Sequence, residues 1–380
     1  MTGEGTKVYI QTPKWFLRPR NTDWRYTRFS IPRIHEFEPD CTFYPAQSNA
    51  TTFHVNARYA RHVLYRKLRL PFAEDPHSVL DQKEFARSGS HVVFCHDDFP
   101  RNASGIPVVW QNSILDPAMT LARGVSQNEL DIEYEVKKGG FHEAAAVQVS
   151  TEAERERLGQ WFPEIADKFV AVPFFLPNVK TIDPSRMQEK IERSGPLRCL
   201  FVGHEAQRKG LGRVYAAMEG LPLSIQKQIH LTVISAQTDG TIAAPSLPNL
   251  HVAGAVTHAQ VLELMRDSDV FLMPSYFESY GLVYLEAMAQ GTIPVVPDWE
   301  VQREIVDYGR AGIVTSGDAA DLAASLEHLC DDATLRTRLA ASALQRFEQH
   351  LAPAVVAKKY SSLFHRTALQ RGNPESSIPA

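Results

Sequence analysis

From Leu197 onward the sequence alternates short apolar runs with amphipathic stretches, and that alternation constrains the fold more than any other feature. The runs are "LRCLFVG" (197–203), "HLTVISA", "LHVAGAV", "DVFLMPS", "TIPVVP" and "GIVTSG". Between them lie "HEAQRKGLGRVYAAMEG", "THAQVLELMRDS", "GLVYLEAMAQG" and "EVQREIV", which carry helical periodicity. Thr257 is placed to cap one of these helices, and Gly291 to stop another. Strands that are apolar on both faces and separated by helices build a parallel sheet covered on both sides. The expected architecture is α/β, with a doubly wound domain from about residue 180 to 345.

The first half is less regular. "KVYIQTP" (7–13), "SHVVFCHDDF" (90–99), "IPVVWQNS" (106–113) and "AAAVQVSTEAERERL" (144–158) fit a second α/β sheet. The stretch from Trp15 to Ala86 follows neither period and is expected to hold short elements and loops. "VPFFLPNVKTIDPSR" reads as an interdomain linker because of its prolines. A helical pattern runs from about Ala341 to "KKYSSLFHRTALQRG", and "NPESSIPA" ends the chain. A chain of 380 residues is too long for one ordinary core. The predicted division is 1–176 for the first domain and 177–345 for the second. A helix over 346–372 returns to the first domain, and 373–380 form a disordered tail.

Composition narrows the function classes. The apolar share is 44% and the charged share 22%, as in soluble globular proteins. A net charge of −4 gives no overall attraction to nucleic acid or to an anionic membrane. Cys41, Cys95, Cys199 and Cys330 are widely spaced and form no CxxC pair, so neither a zinc site nor a disulfide framework is expected. The opening "MTGEGTKVYIQTPKWF" lacks the apolar core of a secretory signal, and no apolar run approaches ~20 residues. A cytoplasmic protein is expected.

Glu278 and Glu286 bracket an apolar run in "FESYGLVYLEAMAQG" with no other charge between them. Glu278 falls in the loop after "DVFLMPS", and Glu286 in the helix that follows. Ligands of open α/β sheets lie beyond the carboxyl ends of the strands. Gly281 permits close backbone approach there, and the first helix amides, near Leu282 and Val283, favour an anion. Two carboxylates flanking an anion site suit hydroxyls on both sides of a phosphate, as in a nucleotide sugar. A solvated loop glutamate and an ordinary helix glutamate would give the same spacing.

"PSYFESYGLVYLEAMAQGTIPVV" resembles the E-x7-E signature of retaining GT-B glycosyltransferases of the family 4 type. "LRCLFVGHEAQRKGLGRVYAAM" is similar to the strand, glycine and basic loop of that family. "PNLHVAGAVTHAQVLELMRDSDVFLMPS" also aligns in kind, and the resemblance covers about residues 195–350. It implies a GT-B fold of two Rossmann-like doubly wound domains facing a central cleft. It further implies that Glu286 binds the donor ribose, that Glu278 attends the transferred sugar, and that amides after Tyr280 and Gly281 receive the diphosphate. Gly203, Arg208 and Lys209 fall on the family's phosphate-binding loop. His96, after its strand, resembles the active-site histidine near the sugar, with Asp97 as a weaker companion.

Two departures from the family stand out. His204 occupies the place of an arginine, and neutral histidine offsets less phosphate charge than a guanidinium, so Arg208 is the candidate replacement. No glycine-rich loop follows "KVYIQTP"; the chain instead reads "KWFLRPRNTDWRYTRF". From Lys7 to Arg33 there are seven Lys or Arg against one Asp, interleaved with Trp15, Phe16, Trp24, Tyr26 and Phe29. Peripheral contact of segment 14–33 with the inner membrane face is one reading, and aromatic core filling with solvated cations is the other. The implied activity is retaining, metal-independent transfer of a hexose from a UDP-, GDP- or dTDP-sugar to a glycan, lipid or small-molecule hydroxyl, with no cofactor. The alternatives are nucleotide-sugar binding without transfer, and another GT-B reaction such as sugar-nucleotide epimerisation.

Overall fold

The computed structural model describes residues 5–11, 30–44, 80, 82–96, 99–100, 103, 105–111, 124, 126–235 and 242–370. Most of segment 14–33, Asp97 and the 373–380 tail lie outside the described residues. The chain divides into two compact units. The first takes residues up to Ile114, Ser126–Pro177 and the chain from Pro353 onward; the second is built on Asn178–Ala352.

The first unit holds strands β1 (Thr6–Gln11), β2 (Cys41–Tyr44), β3 (Val92–His96), β4 (Val108–Gln111), β5 (Ala146–Val149) and β6 (Phe169–Ala171). They form one sheet in the order β2-β1-β3-β4-β5-β6, and every pairing is parallel. Val92, Val93, Phe94 and Cys95 are all buried, because a central parallel strand is covered on both faces. One face packs on the Pro353–Leu369 helix, whose Val356, Tyr360, Leu363 and Phe364 recur at helical spacing and join Val8, Phe94 and Val109 in one core. Gln111 donates from Nε2 to the Tyr360 hydroxyl at 2.8 Å, which ties the same helix to the edge of β4.

The terminal helical pattern is not one helix. A helix over Ala333–Arg346 runs into a wider π turn at Phe347–Leu351, and Pro353 starts the next helix because its ring cannot continue the previous one. The proline-bearing segment 172–183 is largely packed rather than looped out. Val172 and Phe175 belong to the first unit's core, and Ile182 to the second's.

The second unit holds β7 (Leu197–Val202), β8 (Ile229–Ile234), β9 (Leu250–Ala253), β10 (Val270–Leu272), β11 (Ile293–Pro297) and β12 (Ile313–Thr315). Their order is β12-β11-β10-β7-β8-β9, again wholly parallel. Counted from β7 as the first strand, this is the 3-2-1-4-5-6 order of a dinucleotide-binding sheet. Thr257 caps the His258–Asp267 helix in a reciprocal box with Gln260. The Leu282–Ala289 helix is apolar nearly all round and buried, as its sequence requires.

One stretch departs from the sequence reading. Residues 204–210 do not belong to the helix that follows, which begins only at Leu211. Gly210 sits at φ +85°, and a Cβ there would lie 2.2 Å from the Pro274 carbonyl oxygen. The chain turns tightly against the loop after β10, which leaves Arg208 and Lys209 in a loop rather than on a helix face.

Candidate active site

β7 and β10 are neighbours although β8 and β9 lie between them in sequence, so the strand order reverses at this pair. Such a switch point opens a crevice beyond the carboxyl ends of the strands. Two loops line it, 203–210 after β7 and 273–281 after β10. The Tyr276 amide donates to the Arg208 carbonyl at 2.9 Å and fastens one loop to the other. Arg213 adds a second tie, donating from Nη1 to the Pro274 carbonyl at 3.1 Å while its guanidinium lies 3.7 Å from the centre of the Tyr276 ring. Gly203 leaves room for a lysine stem: a Cβ there would meet Lys209 Cγ at 3.0 Å.

Each loop ends in a glycine that starts a helix. Gly281 lies at φ +90°, and a Cβ on it would fall 2.3 Å from Cε2 of Tyr284. Tyr284 cannot yield easily, since it is buried and its hydroxyl donates to the Met273 carbonyl at 2.8 Å. Burial pushes the Tyr284 phenol well above its ordinary value. The amides of Leu282 and Val283 come first in the helix, ahead of its hydrogen-bond ladder, and point back toward the loop. Behind the loop, Gln302 is completely buried and donates from Nε2 to the carbonyls of Glu278 and Tyr280, both at 3.0 Å. These two bonds fix the backbone on either side of Ser279.

Replacing Gln302 by leucine leaves both carbonyls without their donor in a closed interior. The expected loss is on the order of 1–3 kcal/mol of stability, read from denaturant unfolding, together with weaker ligand binding through a looser Glu278 loop. An unchanged midpoint would show that water replaces the amide.

Glu278 is only 9% exposed. Its carboxylate accepts from Lys209 Nζ at close range and lies 3.5 Å from Arg208 Nη1. Burial pushes the Lys209 ammonium below its ordinary value, and the Glu278 carboxylate works in the other direction. Arg208 does not project into solvent. It donates to Glu205 Oε2 from Nε at 2.7 Å and from Nη2 at 2.5 Å, donates to the Phe277 carbonyl at 3.0 Å, and stacks over the Phe277 ring. The Arg208 hydrogen bonds hold the Glu205 carboxyl below its ordinary value. His204 is exposed at the turn's outer edge.

Glu286 is buried to 2% exposure, one and a half turns into the Leu282–Ala289 helix. His258, the first residue of its own helix, meets it with Nε2 at 2.8 Å from Oε1. A carboxylate taken out of water needs such a partner. Among the residues expected at the site, Gly203, Arg208, Lys209, Glu278, Tyr280, Gly281, Leu282, Val283 and Glu286 therefore all sit in the second unit at one switch point. His96 is the last residue of β3 in the first unit. Sequence reading missed His258, Arg213 and Gln302. His258 stood in view as the residue after the Thr257 cap, but nothing local pairs it with Glu286, 28 positions away.

Residues 184–346 match the family model described as glycosyl transferases group 1. This stretch is similar to the group 1 glycosyltransferase family. It takes in both glutamates, both loop cations, His258 and Gln302. Glycogen synthase of Mycobacterium tuberculosis (strain CDC 1551 / Oshkosh) is 28% identical over 198 residues, which cover 49% of this chain and 47% of that protein. The chain thus spans about half the length of the first curated relatives it matches. Anabaena Alr3699/HepE in complex with UDP superposes with a TM-score of 0.61 at 14% identity, over 95% of this chain and 100% of that one. WaaG, a glycosyltransferase involved in lipopolysaccharide biosynthesis, superposes with a TM-score of 0.57 at 16% identity, over 94% and 99%. The chain has a GT-B fold, with one parallel six-stranded sheet in each unit.

Proposed function

We propose that this chain is a retaining, metal-independent hexosyltransferase using a UDP-, GDP- or dTDP-sugar as donor and a hydroxyl of a glycan, lipid or small molecule as acceptor. One observation carries the reading. Two buried carboxylates, two loop cations and two glycine-started helices converge at a single switch point in the second unit. The UDP-bound neighbour of the same fold supports a nucleotide-sugar donor.

In this reading the amides of Leu282 and Val283 receive the diphosphate, and the Glu286 carboxylate accepts from the ribose hydroxyls while His258 holds it in place. The bond from the anomeric carbon to the β-phosphate oxygen breaks, and its electron pair leaves with the diphosphate. The acceptor oxygen bonds to the same face, and its proton passes to the departing phosphate. Negative charge grows on the diphosphate, where Lys209 and Arg208 offset it. Glu278 keeps Lys209 in position and faces the sugar.

The test is nucleoside diphosphate release from a donor panel with hydroxyl acceptors, with the product's anomeric configuration read by NMR. One base should support turnover with retained configuration, and Glu278→Ala should lower the rate by about 10²–10³-fold. Inverted product, or equal rates for Glu278→Ala, would contradict the reading.

A further inference from the structure

At the opposite edge of the second sheet lies a cavity of about 370 Å³ that the chemistry above does not use. Leu197, the first residue of β7, and Ile293, the first of β11, form part of its wall, so it opens at the amino ends of the strands. The length of β7 separates it from the Gly203 loop, roughly 17 Å at ~3.3 Å per residue. Its size falls within the ~300–1,000 Å³ of small-molecule sites.

The charge of this lining runs against that of the chain. Lys190, Arg193, Lys227 and Arg336 line it against the single carboxylate of Asp269, in a protein whose net charge is −4. Arg193 is already neutralised, since its Nη2 lies 2.5 Å from Asp269 Oδ1. Among the described residues the other three have no carboxylate partner. Lys190 is 8% exposed and donates only to neutral acceptors, the Gln290 carbonyl at 3.0 Å and Thr292 Oγ1 at 2.8 Å. Arg336 uses Nη1 on the Leu329 and Cys330 carbonyls at 2.5 and 3.1 Å. Its Nε and Nη2, the edge that grips a carboxylate or phosphate with two parallel bonds, bond no described residue. Lys227 is exposed at the rim, and its ammonium has no partner among the described residues.

Uncompensated cations around a concave, partly apolar chamber focus a positive potential into it. Burial, with Arg193 adding to it and Asp269 and Asp267 opposing it, pushes the Lys190 ammonium down to about 7, and an anion in the chamber would add counter-charge. We infer that this cavity is a second ligand site, separate from the switch-point crevice, that takes a small organic phosphate. The phosphate would meet the Arg336 edge and Lys227, and the organic part would lie on Pro196, Leu197 and Ile293. Lys190 hydrogen-bonds just beyond the carboxyl end of the Leu282–Ala289 helix. Lys190 alone links the chamber to the far end of the helix that carries Glu286.

The test uses the full chain, with phenyl phosphate and inorganic phosphate as probes in calorimetric titrations. One phenyl phosphate should bind per chain, more tightly than inorganic phosphate. Arg336→Gln should weaken it about tenfold or more, and Lys227→Glu, a rim change with no structural bond to lose, should weaken it in the same direction. Lys209→Gln, in the other crevice, should leave it intact. The inference is overturned if phenyl phosphate does not bind, if Lys227→Glu and Arg336→Gln bind it as the parent does, or if Lys209→Gln alone abolishes binding. The last result would put the anion at the switch point instead. None of these readouts depends on sugar transfer, so the inference can fail while the transferase reading stands, and the reverse.

Discussion

Replacing Gly281 by alanine is expected to lower unfolding free energy by on the order of 2–5 kcal/mol and to abolish ligand binding at the switch point. The backbone there is at φ +90° and ψ 63°, where a Cβ costs roughly 1–2 kcal/mol on its own. The new methyl would also fall 2.3 Å from the Tyr284 ring, and forced repacking of this kind adds roughly 1–3 kcal/mol. Tyr284 has nowhere to go: its hydroxyl is bonded to Met273, and its ring lies against Phe271 with centroids 6.1 Å apart. The helix start would have to shift, carrying the Leu282 and Val283 amides with it. Gly212 is the control, since a Cβ there meets nothing within 4 Å inside a helix. Gly212→Ala should stabilise by roughly 0.5–1 kcal/mol. Denaturant unfolding of both variants checks the contrast, and a mild Gly281→Ala would mean that the turn relaxes at little cost.

The second large effect is expected at Lys209. Lys209→Met removes the cation closest to Glu278 and leaves only Arg208, at 3.5 Å. Breaking a buried pair by removing one partner costs roughly 3–5 kcal/mol. The cost here should be nearer 1–3 kcal/mol, because Arg208 remains and both side chains keep some exposure, 16% and 11%. Turnover should fall further, by about 10²–10³-fold, since the departing diphosphate loses a positive charge where its own negative charge grows. Lys209→Arg should recover part of the rate. If Lys209→Met lowers stability while full turnover persists, Lys209 serves only as the partner of Glu278.

The second sheet was legible because its central strands are largely buried on both faces and read as apolar runs, as in "CLFV" and "TIPVV". The Thr257 cap was legible because a capping box is a local object, decided within four residues. The two glutamates could be picked out because a single loop and helix carry both. Periodicity joined 204–210 to the helix that follows while the family resemblance made it a loop, and the close approach to Pro274 shows why the chain must turn at Gly210. His258 and Gln302 were invisible for a related reason. Each acts across the fold, on Glu286 and on the carbonyls of Glu278 and Tyr280, and no sequence period encodes such a meeting. The anion cavity draws its cations from three separated stretches near residues 190, 227 and 336, so it leaves no motif at all.

The most direct test of the donor assignment is a calorimetric titration of UDP, GDP and dTDP into the parent protein and into Glu286→Ala. One of the three should bind at a single site in the ~1–100 µM range. Glu286→Ala, confirmed as folded by circular dichroism, should bind it at least tenfold more weakly. If no nucleoside diphosphate binds, or if Glu286→Ala binds it as tightly as the parent, the buried carboxylate does not hold a ribose and the switch-point crevice is not a nucleotide-sugar site.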